Sequence, residues 1–161
     1  MRSPQAATAD KAEPAIEMAF QESRHDAAGQ HWQWRHYMAE QIAQSLDMEG
    51  LGVKGIYLFG SVNTGDAGMG SDIDLILHVD GNAEQCRLLA GWLDGWSRSL
   101  ARINYLRTGY EQQKMLDVHM VTDADIAAGN SYAIKITSSV DPVTPLRRRE
   151  PSSDETTISV L

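Results

Sequence analysis

Residues 54–79 read KGIYLFGSVNTGDAGMGSDIDLILHV, and the rest of the chain is organised around them. The apolar run Ile56-Tyr57-Leu58-Phe59 ends in Gly60-Ser61, a glycine-rich segment with Gly65, Gly68 and Gly70 follows, and Ser71-Asp72-Ile73-Asp74 opens a second apolar run. Alternate side chains of a strand share a face, so Asp72 and Asp74 project together while Ile73, Leu75, Leu77 and Val79 are free to be buried on the other side. Paired carboxylates repel each other unless a cation lies between them, and a divalent metal is the usual solution. Upstream, a strand that ends in Gly-Ser and runs into a helix start leaves backbone N–H groups and a hydroxyl for phosphate oxygens. Gly60 lets the backbone approach closely, and Ser61 adds a donor. Together these features point to a metal–nucleotide site. An isolated Asp-x-Asp is commonly no more than two solvated aspartates, and the flanking elements are what argue against that reading here.

Gly60-Ser61 followed by Ser71-Asp72-Ile73-Asp74-Leu75 resembles the signature of the DNA polymerase β-type nucleotidyltransferase superfamily, in its small, minimal branch. The family pattern asks for a third carboxylate on a later strand, and Asp117 within Met115–Val121 supplies one. The resemblance covers roughly residues 31 to 137. It implies an α/β fold with a small mixed sheet, helices packed on one face and the site on the other. It further implies two Mg²⁺ ions held by Asp72, Asp74 and Asp117, with an NTP, in the first place ATP, held by Gly60, Ser61, Asp72 and Asp74. Asp72, Asp74 and Asp117 would be the catalytic groups for moving a nucleoside monophosphate to an acceptor hydroxyl. The family often carries a basic residue between the Gly-Ser and the Asp pair; this chain has none between Ser61 and Asp72.

The totals narrow the partners. A chain of 161 residues fits one domain with a buried core. The formal net charge of −8 argues against a broad nucleic-acid surface. That leaves a hydroxyl on a small molecule or a protein as acceptor, and the chain is short enough that a second protomer or a partner protein could complete the cleft. An alternative from another class is a catalytically idle nucleotide-binding or interaction module. The single cysteine, Cys86, excludes an internal disulfide and fits a reducing compartment; with no run of apolar residues long enough to span a bilayer, a cytoplasmic location is expected.

Along the chain, residues 1–29 read as a mobile arm, 30–140 as the domain and 141–161 as a disordered tail containing Arg147-Arg148-Arg149. Trp34, Met38, Ile42 and Leu46 predict a helix packed on the sheet, a stronger reading than base stacking by Trp32 and Trp34. Strands are expected at 53–59, 73–79 and 115–121, and a long helix from Ala83 to about Tyr105. The glycine-rich segment 63–70 is a flexible loop by composition. Thr122 is placed as the N-cap of a short helix to Ala128, which makes Asp123 and Asp125 helix-start acids rather than metal ligands. Residues 131–137 fit a fourth strand or a short helix. Arg102, Arg107 and Lys135 are candidates for phosphates, and His119 and His78 are in phase with Asp117 and Asp74.

Overall fold

The structure, a computed structural model, describes residues 30–140 and 143–151. The expected N-terminal arm and the last ten residues of the expected tail therefore lie outside the described residues. The elements follow as α1 (His31–Ser45), β1 (Val53–Phe59), α2 (Gly60–Thr64), β2 (Ile73–Val79), α3 (Ala83–Thr108), β3 (Leu116–Val121), α4 (Asp123–Ala128), α5 (Ser131–Thr137) and β4 (Thr144–Arg148). The strands form one mixed sheet in the order β3-β2-β1-β4. β1 is antiparallel to both β2 and β4, and β2 is parallel to β3. Parallel neighbours need a long crossover, which the 26-residue helix α3 provides. A capping box between Asn82 and Gln85 starts that helix, and Gly109, in the left-handed region, ends it.

Period-2 alternation in the central strands decides the layers. Ile56 and Leu58 of β1 and Ile73, Leu75, Leu77 and Val79 of β2 form one core with Ala39, Ile42 and Leu46 from the α1 side and with Leu89, Leu93 and Leu100 of α3. Trp34 and Met38 flank this core half-buried, so the deepest stripe of α1 is shifted by one residue from the expected one. The two long helices thus share one face of the sheet. On the opposite face Tyr57, Ile76 and Val121 pack against Ala133 of α5, which leaves the row of side chains beyond them open. The stretch left as strand or helix at 131–137 is this helix, started by Asn130 accepting from Ala133 N.

One expectation needs correcting. Residues 144–148 are not tail; they form β4, the strand at the outer side of β1. Two of the three arginines have structural work. The Arg147 guanidinium donates to the carbonyls of Ala43 (3.0 Å) and Leu46 (2.9 Å), satisfying carbonyls at the C-terminus of α1. Arg149 pairs with Asp80 at the end of β2. The strand TPLRR shows almost no apolar alternation because an edge strand exposed on both faces has little need of it. Among the described residues, no helix is long and apolar enough to cross a membrane.

Candidate active site

The register of the three neighbouring strands assembles the site. Phe59 is opposite Asp74 in the β1–β2 pair, and Asp74 is opposite Asp117 in the β2–β3 pair. Directly opposed residues share a face, so these three side chains form one row across the open side of the sheet. Gly60-Ser61 follows at the end of β1 and begins α2. Gly60 sits at φ +71, and a Cβ built on it would overlap the Asp74 carboxylate, lying 2.8 Å from its Cγ. Only glycine admits this carboxylate against the turn. No side chain caps the start of α2, so its first N–H groups and the Ser61 hydroxyl border the same space.

Electrostatics record how close the acids stand. Burial, then the Asp117 and Asp72 carboxylates, push Asp74 up to about 6, while His119 opposes the shift. Burial and Asp117 likewise raise Asp72, with Arg35 opposing. Two carboxylates whose ionisation is hindered by their acidic neighbours form a set that a cation would relieve. Among the described residues, however, no three acidic, imidazole or thiol groups are gathered as a ready-made metal cage. The donor chemistry fits Mg²⁺, a hard cation that takes few protein carboxylates and fills the remaining positions with phosphate oxygens and water.

The second row of the same face explains which histidine belongs here. His119 is opposite Ile76, one step beyond the acids, and its Nε2 lies 3.3 Å from Asp117 Oδ2. Its ring stacks on Tyr132 of α5 at 3.7 Å between centroids, nearly parallel at 13°. His78, although in phase with Asp74, stands at the far end of β2 and meets Asp123 at 2.6 Å, where Lys54 also pairs. Asp123 therefore serves an ion pair and Asp125 the cap of α4, as their helix-start positions suggested. Lys135 reaches over the Phe59 ring, 5.8 Å from its centroid, and so stands beside the Gly60 turn.

The glycine-rich segment is not loose in the way its composition suggests. Arg35, fully buried, donates from Nε to Ser71 O (3.0 Å) and from Nη2 to Met69 O (2.9 Å) and Asn104 Oδ1 (3.1 Å). Its Nη1 donates to His31 O (3.0 Å), and Asn104 Nδ2 donates to Met69 O at 2.8 Å. The carbonyl before Asp72 is thereby tied to α1, and the Met69 carbonyl to both α1 and α3. Burial and then Arg107 lower Arg35 to about 10, and Asp72 opposes them. Arg107 lies over the Trp34 ring at 5.1 Å, on the Arg35 side of the loop, whereas Arg102 lies over Tyr105. Two guanidiniums, those of Arg35 and Arg107, thus lie against the Trp34 ring, and Trp32 packs beside Gly65. Sequence reasoning missed Arg35 because its partners are mostly backbone carbonyls, which leave no trace in residue type.

A family model described as "Nucleotidyltransferase domain" matches residues 39–140. Among curated proteins, none matches the sequence significantly. A Sulfolobus solfataricus crystal structure, of a protein provisionally assigned as a nucleotidyltransferase, aligns over 83% of this chain and 88% of its own. Its identity is 14% and its TM-score 0.33, too distant to add to the argument. The family match spans most of the chain and takes in the Gly-Ser turn, both aspartates of the pair and Asp117: this chain belongs to the nucleotidyltransferase domain family of the DNA polymerase β type.

Proposed function

We infer that the protein moves a nucleoside monophosphate, in the first place AMP from ATP, to an acceptor hydroxyl and releases pyrophosphate. The observation that carries this reading is the convergence of Asp72, Asp74 and Asp117 beside the Gly60-Ser61 turn. The Ser61 hydroxyl and the open N–H groups of α2 hold the outer phosphates, and Lys135 approaches them from α5. Asp72, Asp74 and Asp117 would hold Mg²⁺, which when bound neutralises triphosphate charge and makes the acceptor hydroxyl more acidic. Asp117, backed by His119, takes the hydroxyl proton as that oxygen attacks the α-phosphorus in line; the bond to pyrophosphate breaks on the opposite side. Arg35 and Asn104 keep Asp72 in place during this exchange. The net charge of −8 favours a small molecule or a protein over a nucleic-acid end as acceptor.

The test is incubation with α-labelled ATP, Mg²⁺ and fractionated lysate, following both the label and pyrophosphate. Transfer to a discrete acceptor that disappears in Asp74→Asn supports the reading. If nucleotide and Mg²⁺ raise the melting temperature but no acceptor fraction ever releases pyrophosphate, the idle binding module is the better description.

A further inference from the structure

The two outer strands of the sheet are finished differently. β4 carries Pro145, Arg147 and Arg148, the residues by which edge strands discourage further pairing. β3, Leu116-Asp117-Val118-His119-Met120-Val121, has no lysine, arginine or proline and no strand on its far side among the described residues. Its helix-side residues Leu116 and Val118 are only half-buried and Met120 is 36% exposed, because α3 does not cover the edge. Between this edge and Leu93 and Ser97 of α3 runs a cleft of about 340 Å³, with Asp94 and Lys114 at its polar margin. An open strand edge beside a helix, with apolar positions at alternate residues, is the form that accepts an extended polypeptide as an added strand.

We propose that this edge takes residues 156–161 of a second copy of the chain as a fifth strand, parallel to β3. The segment reads Thr156-Thr157-Ile158-Ser159-Val160-Leu161, β-prone and without proline, glycine or charge. With Ile158 and Val160 on the cleft side, they continue the row of Leu116, Val118 and Met120; Thr157 and Ser159 then fall on the Asp117 side. Charge sets the direction. Asp154 and Glu155 precede the segment, and Lys114 and Arg98, which share the single acid Asp94, leave the margin before β3 with a positive excess, so the parallel arrangement brings acid to base. Reach selects the second copy. A strand beside β3 lies four strand spacings, roughly 19 Å, from β4. The five Cα steps from Pro151 to Thr156 extend at most about 18 Å, and a parallel strand must also begin at the Leu116 end, whereas β4 finishes at the Val121 end.

The experiment uses the full chain and needs no enzymatic activity. Sedimentation across a wide concentration range is combined with hydrogen exchange at the β3 amides, for the wild type and for Met120→Lys and Ile158→Glu. Met120 is partly exposed, so Met120→Lys does not threaten the fold, and a thermal melt checks the same for Ile158→Glu. The wild type should self-associate and protect its β3 amides as concentration rises. Each variant should weaken association at least about tenfold. A wild type that stays monomeric, with β3 exchange indifferent to concentration and to Ile158→Glu, overturns the proposal. So does β3 protection that survives dilution and vanishes in Ile158→Glu, since the strand would then come from the same chain.

Discussion

The Asp74 carboxylate lies where a side chain on Gly60 would begin. The Gly60-Ser61 turn and the central acid are therefore a single packed unit, joined by the Phe59–Asp74 register of two antiparallel strands. Gly60→Ala places a Cβ both at φ +71 and against that carboxylate. The expected result is a loss of about 1–2 kcal/mol of stability from the backbone conformation alone, together with a large fall in turnover. Urea denaturation and label transfer measured on the same sample check both halves.

Asp74→Asn should separate stability from function in the opposite direction. The folded carboxyl titrates near 6, above its unfolded value, so folding favours the protonated form. That contribution is complete below the unfolded pKa and is lost as pH rises through about 6. Without divalent metal, the wild type should therefore gain stability as pH falls from about 7 to 5, by about 1 kcal/mol once solvent screening of this half-exposed group is allowed for. Asp74→Asn should remove most of that pH dependence and melt higher at neutral pH. Below about pH 4 the acids held down by their partners, Asp80, Asp94 and Asp123, reverse the trend as they protonate. Thermal melts with a chelator across this range are the measurement, and Mg²⁺ should flatten the curve for the wild type only.

Arg35→Met should cost about 3–5 kcal/mol, since it strips the partners from buried carbonyls and from Asn104. That is a large share of the total stability of an ordinary domain. Arg35→Lys keeps the charge but cannot reach all the acceptors at once, so it should fold. In that variant, raised Mg²⁺ and ATP requirements with only a modest drop in melting temperature would show that the clamp positions Asp72.

Removing residues 141–161 should destabilise the domain, in contrast to trimming a tail. Arg147→Ala alone should cost about 1–2 kcal/mol, because carbonyls at the end of α1 lose their donor. Chemical denaturation of the point variant distinguishes the loss of this cap from the loss of the whole strand.

Lys135→Ala and His119→Gln should part company in steady-state kinetics. Lys135 stands over Phe59 beside the Gly60-Ser61 turn, so on the proposed function its loss should raise the KM for nucleotide roughly tenfold while kcat changes less. His119 touches Asp117, so its loss should fall mainly on kcat. His78→Gln, at the other end of β2, should affect neither and serves as the control.

The sequence by itself determined the central strands, the long crossover helix and the position of the candidate site. Alternation in 53–59 and 73–79, the spacing of Asp72 and Asp74 and the Gly60-Ser61 turn are local patterns, and local patterns survive in residue type. Only the tertiary structure decided that Arg35 anchors the loop, that β4 closes the sheet, that 131–137 is a helix and that His119 rather than His78 faces the acids. Those outcomes rest on contacts between residues far apart in the chain, as with Arg35 and Asn104 or Arg147 and Ala43. A carbonyl acceptor or an edge register is available to any sequence, so nothing in the residue types announces which one will be used.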